Sequence, residues 1–343
     1  MRIDDFGRIK KMNPEAKIRR IERALEALGA QEADCTLCPR ECRVDRRSSR
    51  AGICQSGSRA VVSHALLHFG EEPVISGTGG SGDRAGGTPS RRLGSGTIFF
   101  AGCNLKCLFC QNYQLSWKLQ GAEMSDEDLG EAMLGLQSRG AANINLVSPT
   151  HLVLPILRAL RLAYAGGLRL PLVWNSNGYE KVEVIERLAG IVDVWLPDLK
   201  YVSSIPAKAY SGAADYFANA DPAIQEMFVQ QPELVLDADG LAARGLVIRH
   251  LVLPGNAEDS RAALEWIARA LTPHVAVSLM SQYRPCFRAP EPIRRPVSAE
   301  EYRSALKRAR ELGFDRLFLQ PEIFGPEDHL VPDFDLEAPF RWK

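Results

Sequence analysis

From residue 97 onward, short apolar runs alternate regularly with segments of helical periodicity. The apolar, strand-like runs lie at 97–102, 143–148, 170–175, 192–199, 246–254, 275–280 and 316–320. The helical segments lie at 125–140, 151–164, 180–189, 222–230, 260–271 and 298–313. Strands that alternate with helices predict a parallel sheet with helical crossovers. Six or seven such units predict an α/β protein with a partial TIM-type barrel, a (β/α)6-like parallel sheet.

Helix-capping residues predict where several of these helices begin. A side-chain oxygen at the N-cap, followed by Pro at the first position or by an acidic residue three positions later, is typical of a helix start. The predicted starts are Asn13 with Pro14 for a further helix at 13–29, Ser125 with Asp128, and Ser298 with Glu301.

The overall composition narrows the classes of partner. The 343-residue chain has 42 basic and 42 acidic residues, which argues against nucleic acid or an anionic membrane as its main partner. The sequence begins without an apolar signal-peptide region, and no stretch approaches 18 uncharged apolar residues. We therefore expect a soluble, cytoplasmic protein that binds neither nucleic acid nor membrane.

Eight cysteines in such a chain favour metal ligands or redox groups over disulfides. Their grouping is more informative than their number. One group of four, one group of three and one single residue are present: Cys35, Cys38, Cys42 and Cys54; Cys103, Cys107 and Cys110; and Cys286.

The group of three directly follows the first apolar run of the alternating region. In a barrel-like fold this position is a loop at the carboxyl end of a strand, where active sites are built. Three thiolates on a four-iron cluster leave one iron without a protein ligand, and an open coordination position is typical of a metal site that binds a substrate or cofactor directly. The alternatives are a zinc loop that takes a distant ligand, such as His151 or Cys286, and buried free thiols.

With aromatic Phe109 just before Cys110, the motif resembles the CxxxCxΦC signature of the radical S-adenosylmethionine (SAM) superfamily. The stretch "GCNLKCLFCQNYQLS" resembles the branch around pyruvate formate-lyase activating enzyme. It also resembles uncharacterised, activating-enzyme-like iron–sulfur proteins that carry "CxLCPRxC" near the N-terminus, as residues 35–42 do here. The resemblance implies a [4Fe–4S] cluster on Cys103, Cys107 and Cys110, with SAM bound to the open iron.

The resemblance also implies residues that contact the cofactor. Phe109 would pack near the adenine, and Ser148 and Thr150 stand where the family usually has a Gly-Gly-Glu segment. Polar residues at the ends of later strands complete the set: Asn175 in "WNSNGY", Asp198 and Lys200 in "DLK", and Arg249 in "VIRHLVLPG". The alternative for these strand residues is ordinary strand-end polarity or an ion pair.

The first cysteine group supplies four thiolates, enough to close a zinc site or to hold an auxiliary iron–sulfur cluster. The spacing does not separate the two metals, because both accept tetrahedral thiolate ligation. A structural site would stabilise an extension too small to build its own core. His64 and His68, four residues apart, are expected to share a helix face in a packing role.

The expected organisation is a Cys-rich N-terminal extension at 1–75, a Gly-rich flexible linker or insertion at 76–96, a radical SAM core barrel at 97–285 and a C-terminal extension at 286–343. The expected function is reductive cleavage of SAM to a 5′-deoxyadenosyl radical by an activating-enzyme-like oxidoreductase. Flavodoxin or ferredoxin would be its reductant and a glycyl-radical enzyme its target. The alternatives are radical modification of a small molecule or another protein, and a non-catalytic, zinc-stabilised scaffold.

Overall fold

The computed structural model describes residues 13–77, 93–320 and 331–340. The strands are β1 (Ala60–His68), β2 (Ser95–Phe100), β3 (Ala122–Met124), β4 (Ile144–Val147), β5 (Leu172–Ser176), β6 (Val194–Pro197), β7 (Val235–Leu236), β8 (Ala242–Leu251), β9 (Ala276–Met280) and β10 (Leu317–Leu319). The helices are α1 (Pro14–Leu28), α2 (Pro73–Ser76), α3 (Tyr113–Ser116), α4 (Asp126–Ser138), α5 (Val153–Ala165), α6 (Val182–Arg187), α7 (Ser204–Ser211), α8 (Tyr216–Gln230), α9 (Ala257–Trp266) and α10 (Ala299–Glu311). Most of the predicted Gly-rich segment, residues 78–92, lies outside the described residues.

The strands form one sheet in the order β10-β9-β8-β6-β5-β4-β2-β1-β3, with β7 paired to β8. From β2 to β10 along this order the pairings are parallel, and β1 and β3 add antiparallel pairs at one edge. Each of the predicted strand-like runs overlaps one of these parallel strands. The edge strands β3 and β10 do not pair with each other in the described ranges, so the α/β sheet is open, and the prediction of a partial barrel is confirmed.

Alternate residues along the parallel strands face opposite sides of the sheet. On the helix face, large side chains such as Trp174 and Trp195 are fully buried in the main core. On the other side, called the inner face below, Val173 and Val194 pack against Val74 of α2. Near the N-terminal ends of the strands, the short helix α2 therefore covers the inner face.

The predicted helix starts are confirmed. The Asn13 side chain accepts a hydrogen bond from the Ala16 amide at 3.3 Å, and Pro14 is the first helical residue. Reciprocal capping boxes join Ser125 to Asp128 and Ser298 to Glu301. In the described ranges, no helix combines the length and apolar character needed to cross a membrane.

Two local predictions were wrong. The helix predicted at 222–230 begins at Tyr216, because Pro222 is accommodated inside α8 rather than at its start. His64 and His68 lie on strand β1, not on a helix. Their strand pairs with β2 over most of its length, and this tertiary pairing outweighs the helical spacing of the two histidines.

Candidate metal and cofactor site

The cysteine loop, residues 102–110, follows the carboxyl end of β2 and begins with a sharp turn at Gly102. The φ angle of Gly102 is +83°, a conformation that L side chains rarely adopt. A Cβ atom at this position would lie 2.7 Å from the Cys54 carbonyl oxygen and 2.9 Å from Nε2 of His151. The loop therefore starts in direct contact with the segment that carries the first cysteine group.

Hydrogen-bond donors point at the sulfurs of the cysteine loop. The Leu105 amide and Nδ2 of Asn177 each lie 3.4 Å from Sγ of Cys103, and Oγ of Ser211 lies 3.1 Å from Sγ of Cys107. Donors of this kind stabilise thiolates and orient cysteines that bind metal. The loop therefore suits thiolate ligands.

Burial dominates the titration of these thiols. It raises the pKa of Cys107 and raises that of Cys110 to about 12. A bound metal replaces the thiol proton, since the thiolate is the ligand form. In residues 13–77, 93–320 and 331–340, no group of three or more His, Cys, Asp or Glu side chains converges closely enough to hold a metal ion.

The four N-terminal cysteines line one pocket, together with Arg46 and His151. Arg46 is buried, donates from Nε to the Ser56 carbonyl oxygen at 3.1 Å, and has its Nη2 atom 4.0 Å from Sγ of Cys54. Burial raises the pKa of the Cys35 thiol, and the nearby Arg46 guanidinium offsets part of this effect. The pocket thus brings together the predicted first cysteine group, which has no regular secondary structure in the described chain.

His151 lies between the two cysteine groups. Burial lowers the pKa of its imidazole to about 3, so the ring is neutral. Its Nε2 hydrogen is donated to the Ala101 carbonyl oxygen at 3.0 Å, and its buried Nδ1 has no hydrogen-bond partner among the described residues. Cys286 lies beside the cysteine loop, with its Sγ atom 3.2 Å from the Cys110 carbonyl oxygen.

Arg40 lies between Cys38 and Cys42 in sequence and connects the first cysteine group to the cysteine loop by hydrogen bonds. Its guanidinium donates to the carbonyl oxygens of Asn104 at 2.8 Å, Leu105 at 3.3 Å, Ser211 at 3.0 Å and Gly212 at 2.8 Å. The two cysteine groups are therefore neighbours in space although about 50 residues separate Cys54 from Cys103 in sequence.

On the inner face, the predicted cofactor residues of the later strands lie together. Arg249 donates to Oδ1 of Asn175 at 3.2 Å, and its backbone pairs with that of Asp198. Asp198 in turn forms an ion pair with Lys200 at 2.6 Å. The structure thus brings together Asn175, Asp198, Lys200 and Arg249, called the inner polar cluster below.

Sequence reasoning missed two acidic members of this cluster. Glu71 and Glu72 both form ion pairs with Arg249, and Nε of Arg249 lies 2.8 Å from Oε1 of Glu72. Burial opposes ionisation of Glu71, but the Arg249 guanidinium outweighs this effect and lowers the pKa of the carboxyl. Two adjacent acids before a proline, between two apolar runs, were the available signal. They gave no indication of a partner 177 residues away.

The remaining predicted cofactor residues lie apart from the cluster or at its margin. Thr150 is buried and donates its hydroxyl hydrogen to Glu180 at 2.7 Å. Ser148 adopts a left-handed φ of 60°, and its amide donates to the Asn175 carbonyl oxygen at 2.9 Å. Phe109 packs edge-on against Tyr283, with ring centroids 5.7 Å apart.

Comparison with known proteins shows which family the segment with the cysteine loop resembles. The sequence model described as "Radical SAM superfamily" matches residues 97–219, which include the whole cysteine loop. The chain is 28% identical over 325 residues to an uncharacterized protein of Methanocaldococcus jannaschii, covering 92% of this chain and 84% of that protein. Among solved structures, SuiB of Streptococcus suis is similar with a TM-score of 0.44 and 14% sequence identity, over 65% of this chain. The chain spans about half of SuiB, 47% of its length. The segment that folds into β2, the cysteine loop and the following strands thus matches a radical SAM domain.

Proposed function

We propose that Cys103, Cys107 and Cys110 hold a [4Fe–4S] cluster and that the chain reductively cleaves SAM. The observation that carries this proposal is the loop itself. Three cysteines, of which Cys103 and Cys107 are buried, lie within the family-matched segment, at the carboxyl end of a parallel strand, with N–H and O–H donors directed at two of the sulfurs. When bound, the reduced cluster supplies one electron to SAM, which splits into methionine and a 5′-deoxyadenosyl radical.

The residues behind the loop orient its sulfurs. The buried Tyr201 hydroxyl lies 2.8 Å from Oγ of Ser211, and that hydroxyl in turn donates to Sγ of Cys107 at 3.1 Å. This series of hydrogen bonds fixes the direction from which Cys107 receives its hydrogen bond. Hydrogen bonds to the ligand atoms from residues behind them hold metal ligands in position and tune the metal.

The inner polar cluster supplies the polar groups that an amino-acid cofactor needs. Arg249 and Lys200 are cations, and Asp198 and the Glu71–Glu72 pair are anions, all within one partly buried network. A zwitterionic ligand requires both charges, because a buried charge without a partner is costly. In our proposal this network binds and orients the methionine end of SAM and excludes water from it.

We propose further that the N-terminal cysteines bind a metal of their own, either zinc or an auxiliary iron–sulfur cluster. The four thiols line one pocket, with the Arg46 guanidinium beside Cys54.

For the target, we propose an activating-enzyme-like role on a glycyl-radical enzyme, which rests on the resemblance of the cysteine loop. The test of the target is the glycyl-radical EPR signal in a candidate partner after incubation with the reduced protein and SAM.

Anaerobic reconstitution of matched cysteine variants tests the core proposal. The wild type should gain about four irons on the cysteine loop and release 5′-deoxyadenosine from SAM in the presence of dithionite. Cys107→Ala should lose this product, whereas Cys286→Ala, which alters a thiol beside the same loop, should retain it. Cys42→Ala should lose the second metal only. A wild type that binds only zinc, or a Cys107→Ala variant with full cleavage, contradicts the proposal.

A further inference from the structure

Three cations rest on aromatic rings beside the cysteine loop. The distances to the ring centroids are 5.2 Å from Nζ of Lys106 to Trp117, 5.1 Å from Nζ of Lys118 to Tyr113, and 5.0 Å from Cζ of Arg288 to Phe287. The Tyr113 and Phe287 rings are stacked, with centroids 5.0 Å apart. We call this set the cationic rim: Lys106, Lys118 and Arg288 over Tyr113, Trp117 and Phe287.

The rim is bonded to the backbone of the cysteine loop. The Trp117 indole N–H donates to the Cys107 carbonyl oxygen at 2.9 Å, and the Arg288 amide donates to the Leu108 carbonyl oxygen at 3.0 Å. Lys118 and Arg288 are exposed. The rim is therefore a place where groups in direct hydrogen-bond contact with the cysteine loop reach solvent.

The positive charge of the rim is not neutralised by the described parts of the chain. Lys106, Lys118 and Arg288 form no ion pair with any acidic residue in residues 13–77, 93–320 and 331–340. Cation–π contacts hold the side chains in place without cancelling their charge. The result is a preformed surface with positive charge around an aromatic centre.

We infer that the cationic rim is the docking surface for an acidic electron-carrier protein. This inference rests on the proposed function, because reductive cleavage requires a donor of single electrons that approaches the cysteine loop. Acidic carriers are complementary to the rim in charge, and its half-buried aromatic rings provide the apolar contact that interface centres use. Three cations are few for a nucleic-acid site, whose affinity depends on many phosphate contacts.

The test separates electron delivery from cleavage. In the reconstituted protein, the double variant Lys118→Glu with Arg288→Glu should weaken binding of an acidic flavodoxin about tenfold or more and flatten its salt dependence. Cleavage of SAM driven by reduced flavodoxin should fall by a similar factor at limiting carrier, whereas cleavage driven by dithionite should be unchanged. The neutral pair Lys118→Gln with Arg288→Gln should give an intermediate loss.

Arg139→Glu is the matched control. Arg139 is exposed, has no ion pair among the described residues, and lies between the end of α4 and the start of β4, whereas the cysteine loop follows the carboxyl end of β2. It should leave both binding and rate unchanged. Equal flavodoxin affinity for the rim variant and the wild type overturns the inference, as does rim-dependent binding of a single-stranded RNA with no binding of flavodoxin. If the wild type fails to cleave SAM with dithionite, the proposed function is wrong. The flavodoxin affinity of the rim variant then tests by itself whether the cationic rim is a docking surface.

Discussion

Nε of Arg40 donates a hydrogen bond to the Asn104 carbonyl oxygen at 2.8 Å, which ties the first cysteine group to the loop of the second. Three further carbonyl oxygens accept from the same guanidinium. Arg40→Ala should therefore lower the free energy of unfolding by about 2 kcal/mol, since these acceptors lose a charged donor. Urea unfolding followed by tryptophan fluorescence measures this. The exposed helix residue Arg23 gives the control, Arg23→Ala, and an equal effect of both variants would contradict the prediction.

Gly102→Ala should disturb the cysteine loop more than an ordinary left-handed glycine would. The new Cβ would lie 2.7 Å from the Cys54 carbonyl oxygen, whereas at Gly240, with a similar φ of +80°, no atom lies within 4 Å. Both substitutions carry the left-handed penalty of about 1 kcal/mol, so their difference reports the contact alone. We expect Gly102→Ala to reduce iron content after reconstitution and Gly240→Ala to leave it intact. Equal iron content in the two variants would rule this out.

Arg249→Met should be strongly destabilising. It leaves the buried carboxylates of Glu71 and Glu72 without their cation, and removing one partner of a buried pair costs about 3–5 kcal/mol. Arg295→Met, which removes an ion pair with Glu301 at 2.7 Å on the surface, should cost less than about 1 kcal/mol. Chemical denaturation of both variants at neutral pH gives the comparison. A cost for Arg249→Met no larger than for the surface variant would show that the inner pair is solvated.

Glu180 predicts a specific pH dependence. Burial raises the pKa of this carboxyl to about 7, and its Oε1 accepts from Thr150 and from the Trp174 indole. Because the folded form binds the proton more tightly than the unfolded form, this group stabilises the fold most at low pH. Its contribution falls as pH rises from about 4.3 to about 7, by about 3 kcal/mol.

Glu180→Gln tests this sign. The free energy of unfolding of the variant, minus that of the wild type, should increase between pH 5 and pH 8, because the amide does not ionise. Urea denaturation at the two pH values measures the difference, and effects common to both proteins cancel. A difference independent of pH would mean that Glu180 is ionised throughout this range.

The parallel strands could be predicted from sequence because they are buried on both faces and read as continuous apolar runs. The capped helices were equally clear, since Ser125 with Asp128 and Ser298 with Glu301 are local signals. Strand β1 and helix α2 were not predicted. Each depends on partners that are distant in sequence: β1 pairs with β2, and α2 packs on β5 and β6.

The site divides in the same way. The cysteine loop is a local motif, so its position after β2 followed from sequence. The polarity of Asn175, Asp198 and Arg249 indicated a cluster, but their acidic partners did not come from any neighbouring residue. Thr150, expected near the cofactor, donates its hydroxyl hydrogen to Glu180, a partner that the sequence did not indicate.

The short helix α2 affects how a ligand can reach the inner face of the sheet. It fills the inner face at the N-terminal ends of the strands, where the Ile75 carbonyl oxygen accepts from Asn143 at 2.7 Å and Val74 contacts Val173. Among the described residues, α2 covers this end of the inner face, and the cysteine loop lies at the opposite, carboxyl end of the strands. In the proposed function, substrate and product therefore share the carboxyl end of the sheet, and slow release of a product delays the next turnover.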